Sequence, residues 1–354
     1  MPGVAPRVVI CDDSALLRRV VGDMLTDGGL TVVGEARDGV ELVERATALA
    51  PDVITLDVEM PRRSGLEGLR ELMRVRPTPV VMVSSFTGPA SATGIAALAA
   101  GAVDVIEKPA LPLSPRNWGA TRDELVARVR AAAAARPAAL ARAPRPATPG
   151  AHLASRAAGP GGDLIVIATS TGGPRALHAV VPNLPSPLGS GVLIVQHMPV
   201  GFTRPLTVRL DERSRLTVRE AGPVDDIRPD TALVAPGGSH LEVSGRGRVR
   251  LSQAAAIGSL RPRADVTIET AARHYGARLT LVVLTGMGDD GLAGARAVRA
   301  AGGTVLVEAE RTCVVWGMPR VVQEAGLADA VIPLEVMPLA IAEAAAPRPA
   351  AAAS

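Results

Sequence analysis

Short apolar runs alternate with helical patterns along most of this chain, and many of the runs end in polar residues. The stretch from Asp163 to Ala168 has the length of a buried strand. Two glycines follow, which permit a sharp turn. The next apolar residues recur at the spacing of one helical face: Leu177, Val180, Val181 and Leu184. Repeated strand–turn–helix units of this kind predict parallel sheets covered by helices.

Ser170 lies in the turn between that strand and that helix. Its hydroxyl is predicted near the N-terminus of a helix, where the helix dipole favours negative charge. A serine at this position suits a nucleophile, a phosphate ligand or a plain helix cap. The stretch on its own favours the cap.

Composition excludes several classes of protein. The length of 354 residues predicts two domains rather than one. The net charge of +3 and the five Phe, Trp and Tyr residues do not fit a nucleic-acid-binding protein. No apolar run has the length of a membrane span, and no secretory signal is recognised, so a cytoplasmic protein without membrane insertion is expected. Cys11 and Cys313 are expected to be buried free thiols.

Four segments follow from these patterns. Residues 1–136 contain five predicted strands and five predicted helices, the last helix running from Thr121 to Arg136, and form a doubly wound, flavodoxin-like domain. Residues 137–162 are rich in Ala, Pro and Arg and form a flexible linker. Residues 163–345 form a second α/β domain with a parallel sheet and a β-hairpin insertion. Residues 346–354 form a disordered tail.

Polar residues of the first domain follow the carboxyl ends of its predicted strands: Asp12, Asp13, Asp57, Ser84 and Lys108. In an open α/β sheet these ends line one crevice. Three carboxylates there repel one another and need a cation, and oxygen ligands suit Mg²⁺. The lysine indicates an anion that binds and leaves. A single such Asp is better explained as a helix cap, but the group together predicts a carboxylate that is phosphorylated in place.

The same residues resemble the receiver domains of response regulators. The matching motifs are Cys11-Asp12-Asp13-Ser14, Leu56-Asp57-Val58-Glu59-Met60-Pro61, Ser84-Ser85 and Glu107-Lys108-Pro109. The resemblance implies that Asp57 accepts phosphate from a histidine kinase. Asp13, Asp57 and the Glu59 carbonyl would hold Mg²⁺ with support from Asp12, and Ser84 and Lys108 would bind the phosphoryl oxygens. Val105 replaces the usual aromatic switch residue, so switching is expected through Ser84 and backbone shifts.

Ser170, His197 and Asp290 each follow a predicted strand of the second domain. If the strands share a sheet, a hydroxyl, an imidazole and a carboxylate meet at one edge as the parts of a triad. The order Ser, His, Asp differs from that of α/β-hydrolases. Asp289 and Asp290 with His197 could instead bind a metal, although no ligand spacing supports it. The glycine-rich turns could cradle phosphate, but the P-loop Gly-Lys-Ser/Thr is absent.

This second domain is similar to the catalytic domain of chemotaxis methylesterases, the CheB family. Two departures are Ala168-Thr169, where the family usually has Gly-Ala, and Arg263, where it tends to have serine. The extra arginine is expected to bear on receptor or receiver contacts. The matching stretches are Ser170-Thr171-Gly172-Gly173, Gln196-His197-Met198-Pro199, Val234-Ala235-Pro236-Gly237-Gly238, Leu284-Thr285-Gly286-Met287-Gly288-Asp289-Asp290-Gly291 and Cys313-Val314-Val315-Trp316-Gly317-Met318-Pro319.

The resemblance implies hydrolysis of glutamate γ-methyl esters on the cytoplasmic helices of chemoreceptors, and in some relatives deamidation of glutamine. Ser170 would attack with His197 as base and Asp290 orienting it, while the Met287 N–H and groups near Thr171 hold the oxyanion. A monomer is expected, with no cofactor in the catalytic domain. Phosphorylation of the receiver would relieve its inhibition of the enzyme. The alternative is a phosphorylation-controlled esterase or binding module in a non-chemotactic signalling system.

Overall fold

The computed structural model describes residues 5–84, 89–109, 115–135 and 163–345. The chain divides into two compact units, Met1–Ala143 and Pro144–Ser354. The predicted linker, 137–162, and the predicted tail, 346–354, lie outside the described residues. Within the described ranges, no helix combines the length and the apolar character needed to cross a bilayer.

The first unit is built on a parallel sheet of five strands in the order β2-β1-β3-β4-β5. The strands are β1 (Arg7–Cys11), β2 (Thr31–Ala36), β3 (Val53–Asp57), β4 (Val80–Ser84) and β5 (Asp104–Glu107). The helices are α1 (Ala15–Asp27), α2 (Gly39–Leu49), α3 (Gly65–Val75), α4 (Pro89–Ala99) and α5 (Pro115–Ala133). The strand order reverses at β1, which confirms the doubly wound, flavodoxin-like fold.

Burial explains why the central strands are nearly continuous apolar runs. Every residue of β3 and of β4 is buried, as expected for parallel strands covered on both faces. Helix α3 begins at a capping box in which Ser64 and Glu67 satisfy each other's backbone N–H groups. The predicted start of α5 at Thr121 is wrong, because the helix already begins at Pro115, and proline is tolerated in a first helical turn.

The second unit is built on a parallel sheet of seven strands in the order β15-β14-β13-β6-β7-β10-β8. Its strands are β6 (Leu164–Thr169), β7 (Gly191–Gln196), β8 (Thr217–Glu220), β10 (Thr231–Val234), β13 (Leu279–Val283), β14 (Thr304–Glu308) and β15 (Ala330–Ile332). The helices are α6 (Gly173–Val180), α7 (Thr203–Asp211), α8 (Ala264–Tyr275), α9 (Leu292–Ala300), α10 (Met318–Glu324) and α11 (Met337–Ala344). Strand β6 lies near the middle of this sheet, and all its residues are buried.

The predicted hairpin is present as β11 (His240–Gly245) and β12 (Arg248–Ser252), which pair antiparallel. It is extended by β9 (Val224–Asp226) into a small three-stranded sheet. One hydrophobic core joins the hairpin to the large sheet, since Leu241 and Val249 lie in the same buried cluster as β6 and α8. Cys11 and Cys313 are buried free thiols, as predicted.

Candidate active site

Three adjacent strands bring the predicted triad to one sheet edge. In the order β13-β6-β7, Ser170 follows β6 directly and His197 follows β7 directly. The pairing of Thr169 with Gln196 sets the two residues side by side. His197 N–H donates to the Thr169 carbonyl over 3.1 Å. The sequence argument that parallel strand ends converge therefore holds for the serine and the histidine.

The Ser170 turn does not act as a helix cap. The N-cap of α6 is Gly172, whose φ of +80° lies in the left-handed region, and no side chain caps this helix. The cap interpretation of Ser170 is therefore wrong. Among the described residues, the Ser170 hydroxyl has no hydrogen-bond partner, although the residue is only 5% exposed. A buried but unengaged hydroxyl is available to a base and a substrate.

A buried amide ties the serine to the histidine. The Gln196 Nε2 donates to the carbonyls of Ser170 and His197, each over 3.0 Å. Gly173 makes room for this amide, because a Cβ there would lie 2.0 Å from Gln196 Oε1. Sequence reasoning quoted Gln196 in a motif but gave it no role. The sequence feature that could have indicated a role is the position of this glutamine at the end of an otherwise apolar strand.

His197 and Asp290 form a short buried pair. Nε2 of His197 lies 2.6 Å from Oδ2 of Asp290. The Asp290 carboxylate also accepts the backbone N–H groups of Ala264 and Asp265, over 2.6 and 2.9 Å, at the start of α8. Burial raises the pKa of Asp290, but the His197 bond and these N–H groups outweigh it and lower the pKa to about 2. Asp290 is therefore held as an anion that orients the imidazole.

Asp290 belongs to a larger charge cluster. Asp265 accepts the N–H groups of Gly291 and Gly294 over 2.9 and 2.8 Å, and burial together with Asp290 raises its pKa to about 6. Arg263 lies 3.0 Å from Asp265 and 3.4 Å from Asp290. The guanidinium of Arg263 points at these carboxylates, and the expectation that it bears on receptor or receiver contacts stays a prediction. Residues about 25 positions apart meet here through tertiary packing, which sequence spacing does not reveal.

The turn after β13 lies against the serine. A Cβ on Gly286 would lie 2.9 Å from the Ser170 Cβ. The next residue, Met287, has a backbone N–H with no hydrogen-bond partner among the described residues. Thr171, the second predicted oxyanion residue, is fully buried, and its carbonyl accepts the Thr285 hydroxyl over 3.1 Å. An unpaired N–H in the turn that packs against Ser170 is a candidate oxyanion donor.

A buried glutamate, Glu308, hydrogen-bonds to the backbone of this turn. Glu308, fully buried, accepts the Thr285 N–H over 2.8 Å, and burial raises its pKa to about 7. The Thr285 carbonyl in turn accepts the Ser170 N–H over 3.1 Å and the Thr169 hydroxyl over 2.8 Å. These contacts link three strand ends beneath the triad. Neither Glu308 nor Thr285 was assigned a role from the sequence.

The predicted phosphorylation residues also meet at one sheet edge. Carboxylate oxygens of Asp12, Asp13 and Asp57 all lie within 4.8 Å of one another. Lys108 Nζ lies 2.7 Å from Asp57 and 3.1 Å from Asp12. Ser84 is buried, and its carbonyl accepts the Lys108 N–H over 2.9 Å.

The electrostatics of this second site fit a divalent cation. Burial raises the pKa of Asp57 to about 6, the Asp12 charge adds to the rise, and Lys108 opposes it. The Val58 N–H donates to Asp57 Oδ1 over 2.7 Å, and the backbone of Glu59 acts to lower the pKa of the same carboxylate. An oxygen-only donor set with excess negative charge suits Mg²⁺. Val105 is fully buried in β5.

Comparison with known families matches both halves of the chain. The family model described as CheB methylesterase matches residues 165–341, and the one described as response regulator receiver domain matches residues 8–113. A Symbiobacterium thermophilum protein named protein-glutamate methylesterase/protein-glutamine glutaminase is 49% identical over 350 residues, covering 96% of each chain.

Two comparisons involve Thermotoga maritima. A protein with the same name is 42% identical over 336 residues, covering 94% of this chain and 96% of the relative. The crystal structure of the Thermotoga maritima CheB methylesterase catalytic domain matches with a TM-score of 0.50 and 44% identity. That match covers 51% of this chain and 98% of the other.

Proposed function

Because the chain belongs to the CheB methylesterase family, we propose that it hydrolyses glutamate γ-methyl esters on the cytoplasmic helices of chemoreceptors. One observation carries the proposal. The buried His197–Asp290 pair, 2.6 Å apart, adjoins an unengaged Ser170 hydroxyl at neighbouring strand ends. That arrangement suits acyl transfer through a serine nucleophile.

The reaction proceeds in two halves. His197 takes the Ser170 proton as Oγ attacks the ester carbonyl, and Asp290 stabilises the imidazolium. Since Nε2 of His197 faces Asp290, Nδ1 is the nitrogen that accepts this proton. The tetrahedral intermediate expels methanol, which takes the proton from His197. Water then attacks the acyl-enzyme with His197 again as base. The Ser170 Oγ leaves and takes the proton from His197, and the receptor side chain is released from the enzyme as a glutamate carboxylate.

The oxyanion of each tetrahedral intermediate is held by backbone N–H groups. The Met287 N–H is the first donor, because it is unpaired and its neighbour Gly286 packs against Ser170. A group near Thr171, next to the nucleophile, contributes the second donor. Donors fixed in place before the reaction stabilise the transition state without reorganisation.

Glutamine deamidation uses the same residues. The amide carbon of a glutamine takes the place of the ester carbon, and ammonia takes the place of methanol as leaving group. His197 must then deliver its proton to a poorer leaving group, so the amide reacts more slowly than the ester. The name of the relatives, which joins methylesterase and glutaminase, supports this second activity.

The receiver half is proposed to control the enzyme. Asp57 accepts a phosphoryl group from a histidine kinase, and Ser84 and Lys108 bind the phosphoryl oxygens. Asp13, Asp57 and the Glu59 carbonyl, supported by Asp12, would hold Mg²⁺, and the cation would supply positive charge for the phosphoryl oxygens. The 2.7 Å contact between Lys108 and Asp57 supports this, because a phosphoryl group on Asp57 would break that ion pair and recruit the lysine.

The test is methanol release from receptor-containing membranes whose receptors carry methyl groups. The full chain is assayed with Mg²⁺, with and without a small-molecule phosphodonor, and Ser170→Ala serves as the inactive control. We expect methanol release that depends on Ser170 and that the phosphodonor increases. Hydrolysis of a small ester without any release from these membranes would contradict the receptor substrate. It would favour an esterase of a different signalling system.

A further inference from the structure

Arg263 is anchored at both its backbone and its side chain. The Arg263 N–H donates to Nδ1 of His240 over 3.2 Å, and Nε2 of His240 lies 3.3 Å from the Ala255 carbonyl. At the other end, the guanidinium contacts Asp265 and Asp290. The side chain is 19% exposed, so most of the cation is removed from water. Such a placement costs desolvation unless its carboxylate partners compensate it.

The two carboxylates cannot separate to relieve their repulsion. Asp290 is fixed by His197 and by the start of α8. Asp265 is fixed by the N–H groups of Gly291 and Gly294 at the start of α9. Two like charges held in one buried cluster favour uptake of a proton by one member of the cluster. Arg263 provides the fixed positive charge that opposes this uptake.

We propose that Arg263 is a positioning residue of the triad, which keeps both carboxylates ionised and limits the negative charge felt by His197. The charged and titratable groups around the cluster are Asp265, Asp289, Asp290, Arg263, His197 and His240. Asp289 lies 3.9 Å from Arg263 but is 74% exposed, so water screens it. With neutral imidazole the two buried carboxylates and the arginine sum to one negative charge. That charge rises to two when the arginine is removed, at any pH at which both carboxylates stay ionised.

Extra negative charge holds the proton on His197 more tightly, and protonated imidazole cannot act as the base. The acidic limb of the pH profile of kcat/KM therefore moves to higher pH without Arg263. A side chain that only fills space would lower activity equally at all pH values. The inference rests on the proposed esterase function for this readout, but not for the titration described below.

The experiment measures methanol release by the full chain against pH. Arg263→Ser is expected to shift the acidic limb upward by about one pH unit. Arg263→Lys should largely restore the wild-type profile, because it restores the charge. Arg263→Ser combined with Asp265→Asn should also restore it, because the amide removes one negative charge while its oxygen can still accept the Gly291 and Gly294 N–H groups.

A control variant and a second test variant accompany this experiment. Arg250→Ser removes an arginine of β12 that pairs with Glu242 of β11, and it should leave the profile unchanged. Asp265→Asn alone should shift the limb to lower pH, so the inference can be tested even if Arg263→Ser does not fold. The inference would be overturned if Arg263→Ser were active and its acidic limb lay at the wild-type pH. It would also be overturned if Arg263→Ser lost activity equally at all pH values and Asp265→Asn did not restore that activity.

A nuclear magnetic resonance titration of the His197 ring separates the two proposals. In the full chain carrying Ser170→Ala, the titration midpoint should rise when Arg263→Ser is added. If the wild type releases no methanol but the midpoint still moves, the proposed function fails and the inference stands. If methanol is released but neither midpoint nor limb moves, the inference fails alone.

Discussion

In each unit a cation contacts two carboxylates near the carboxyl edge of a parallel sheet, yet the two sites differ in which carboxylate has a raised pKa. In the receiver, Lys108 contacts both Asp12 and Asp57, and burial raises the pKa of Asp57 to about 6. In the catalytic unit, the His197 bond and two helix N–H groups lower the pKa of Asp290 to about 2. There the neighbour Asp265 has the raised pKa instead.

The difference matches the proposed roles. A carboxylate that must take up a cation and a phosphoryl group benefits from being poorly stabilised on its own. A carboxylate that only orients a histidine benefits from staying ionised throughout the cycle. The fold supplies the distinction through the helix that begins beside Asp290, because helix N-terminal N–H groups stabilise an anion. Four predictions follow from this comparison.

The largest expected effect is on the nucleophile. Ser170→Ala removes the proposed nucleophile, so kcat for methanol release should fall by about 10⁴ or more. Circular dichroism and unfolding by urea should show that the variant remains folded. A variant with turnover near that of the wild type would remove Ser170 from this role.

Next comes the histidine–carboxylate pair. His197→Ala and Asp290→Asn should each lower kcat by roughly 10³–10⁴, because a triad acts as a unit. For the same reason, the double variant should be no slower than His197→Ala. Methanol release by the two single variants and the double variant decides this. Losses that multiply in the double variant would mean that the two residues act independently.

The third effect concerns the receiver. A phosphodonor with Mg²⁺ should raise methanol release by the wild type about 5–150-fold, the usual range of an allosteric coupling. Asp57→Ala should abolish both the stimulation and the hydroxylamine-sensitive acyl-phosphate label. Chelation of Mg²⁺ should have the same effect in the wild type, and Ser170→Ala should still be labelled. Labelling of Asp57→Ala to the wild-type extent would contradict the assignment.

The sequence predicts backbone positions well wherever a local pattern decides them. The apolar run from Asp163 to Ala168 predicts strand β6, which the structure has at Leu164–Thr169, and the Ser170–His197 neighbourhood follows from parallel strands alone. Helix α7 was missed, because Pro205 lies in its first turn and no side chain caps it. The inward direction of Arg263 could not be predicted, since its partners Asp265 and Asp290 are brought together by the packing of α8 and α9.

The smallest expected effect is on stability, and its sign distinguishes Asp57 from Asp290. The pKa of Asp57 in the folded chain, about 6, lies above its ordinary value of 3.8. The ionised Asp57 carboxylate therefore lowers the free energy of unfolding, and this loss is complete above pH 6. The loss disappears as the pH falls toward 4, where the carboxyl is protonated in both the folded and the unfolded chain. Asp57→Asn should stabilise the receiver at pH 7.5 by about 2 kcal/mol without Mg²⁺ and should flatten this slope.

The two tryptophans allow the receiver to be followed separately, because Trp118 lies in α5 and Trp316 in the second unit. In a Trp316→Phe background, unfolding by urea is monitored through Trp118 at several pH values in a chelator. Asp123→Asn, an exposed carboxyl paired with Arg122, is the control and should keep the wild-type slope. Mg²⁺ should stabilise the wild type above pH 6, because it binds the ionised carboxylates, and should do so less for Asp57→Asn. An Asp57→Asn receiver that is less stable at pH 7.5 and keeps the slope would mean that Lys108 compensates Asp57 fully, and the contrast with Asp290 would disappear.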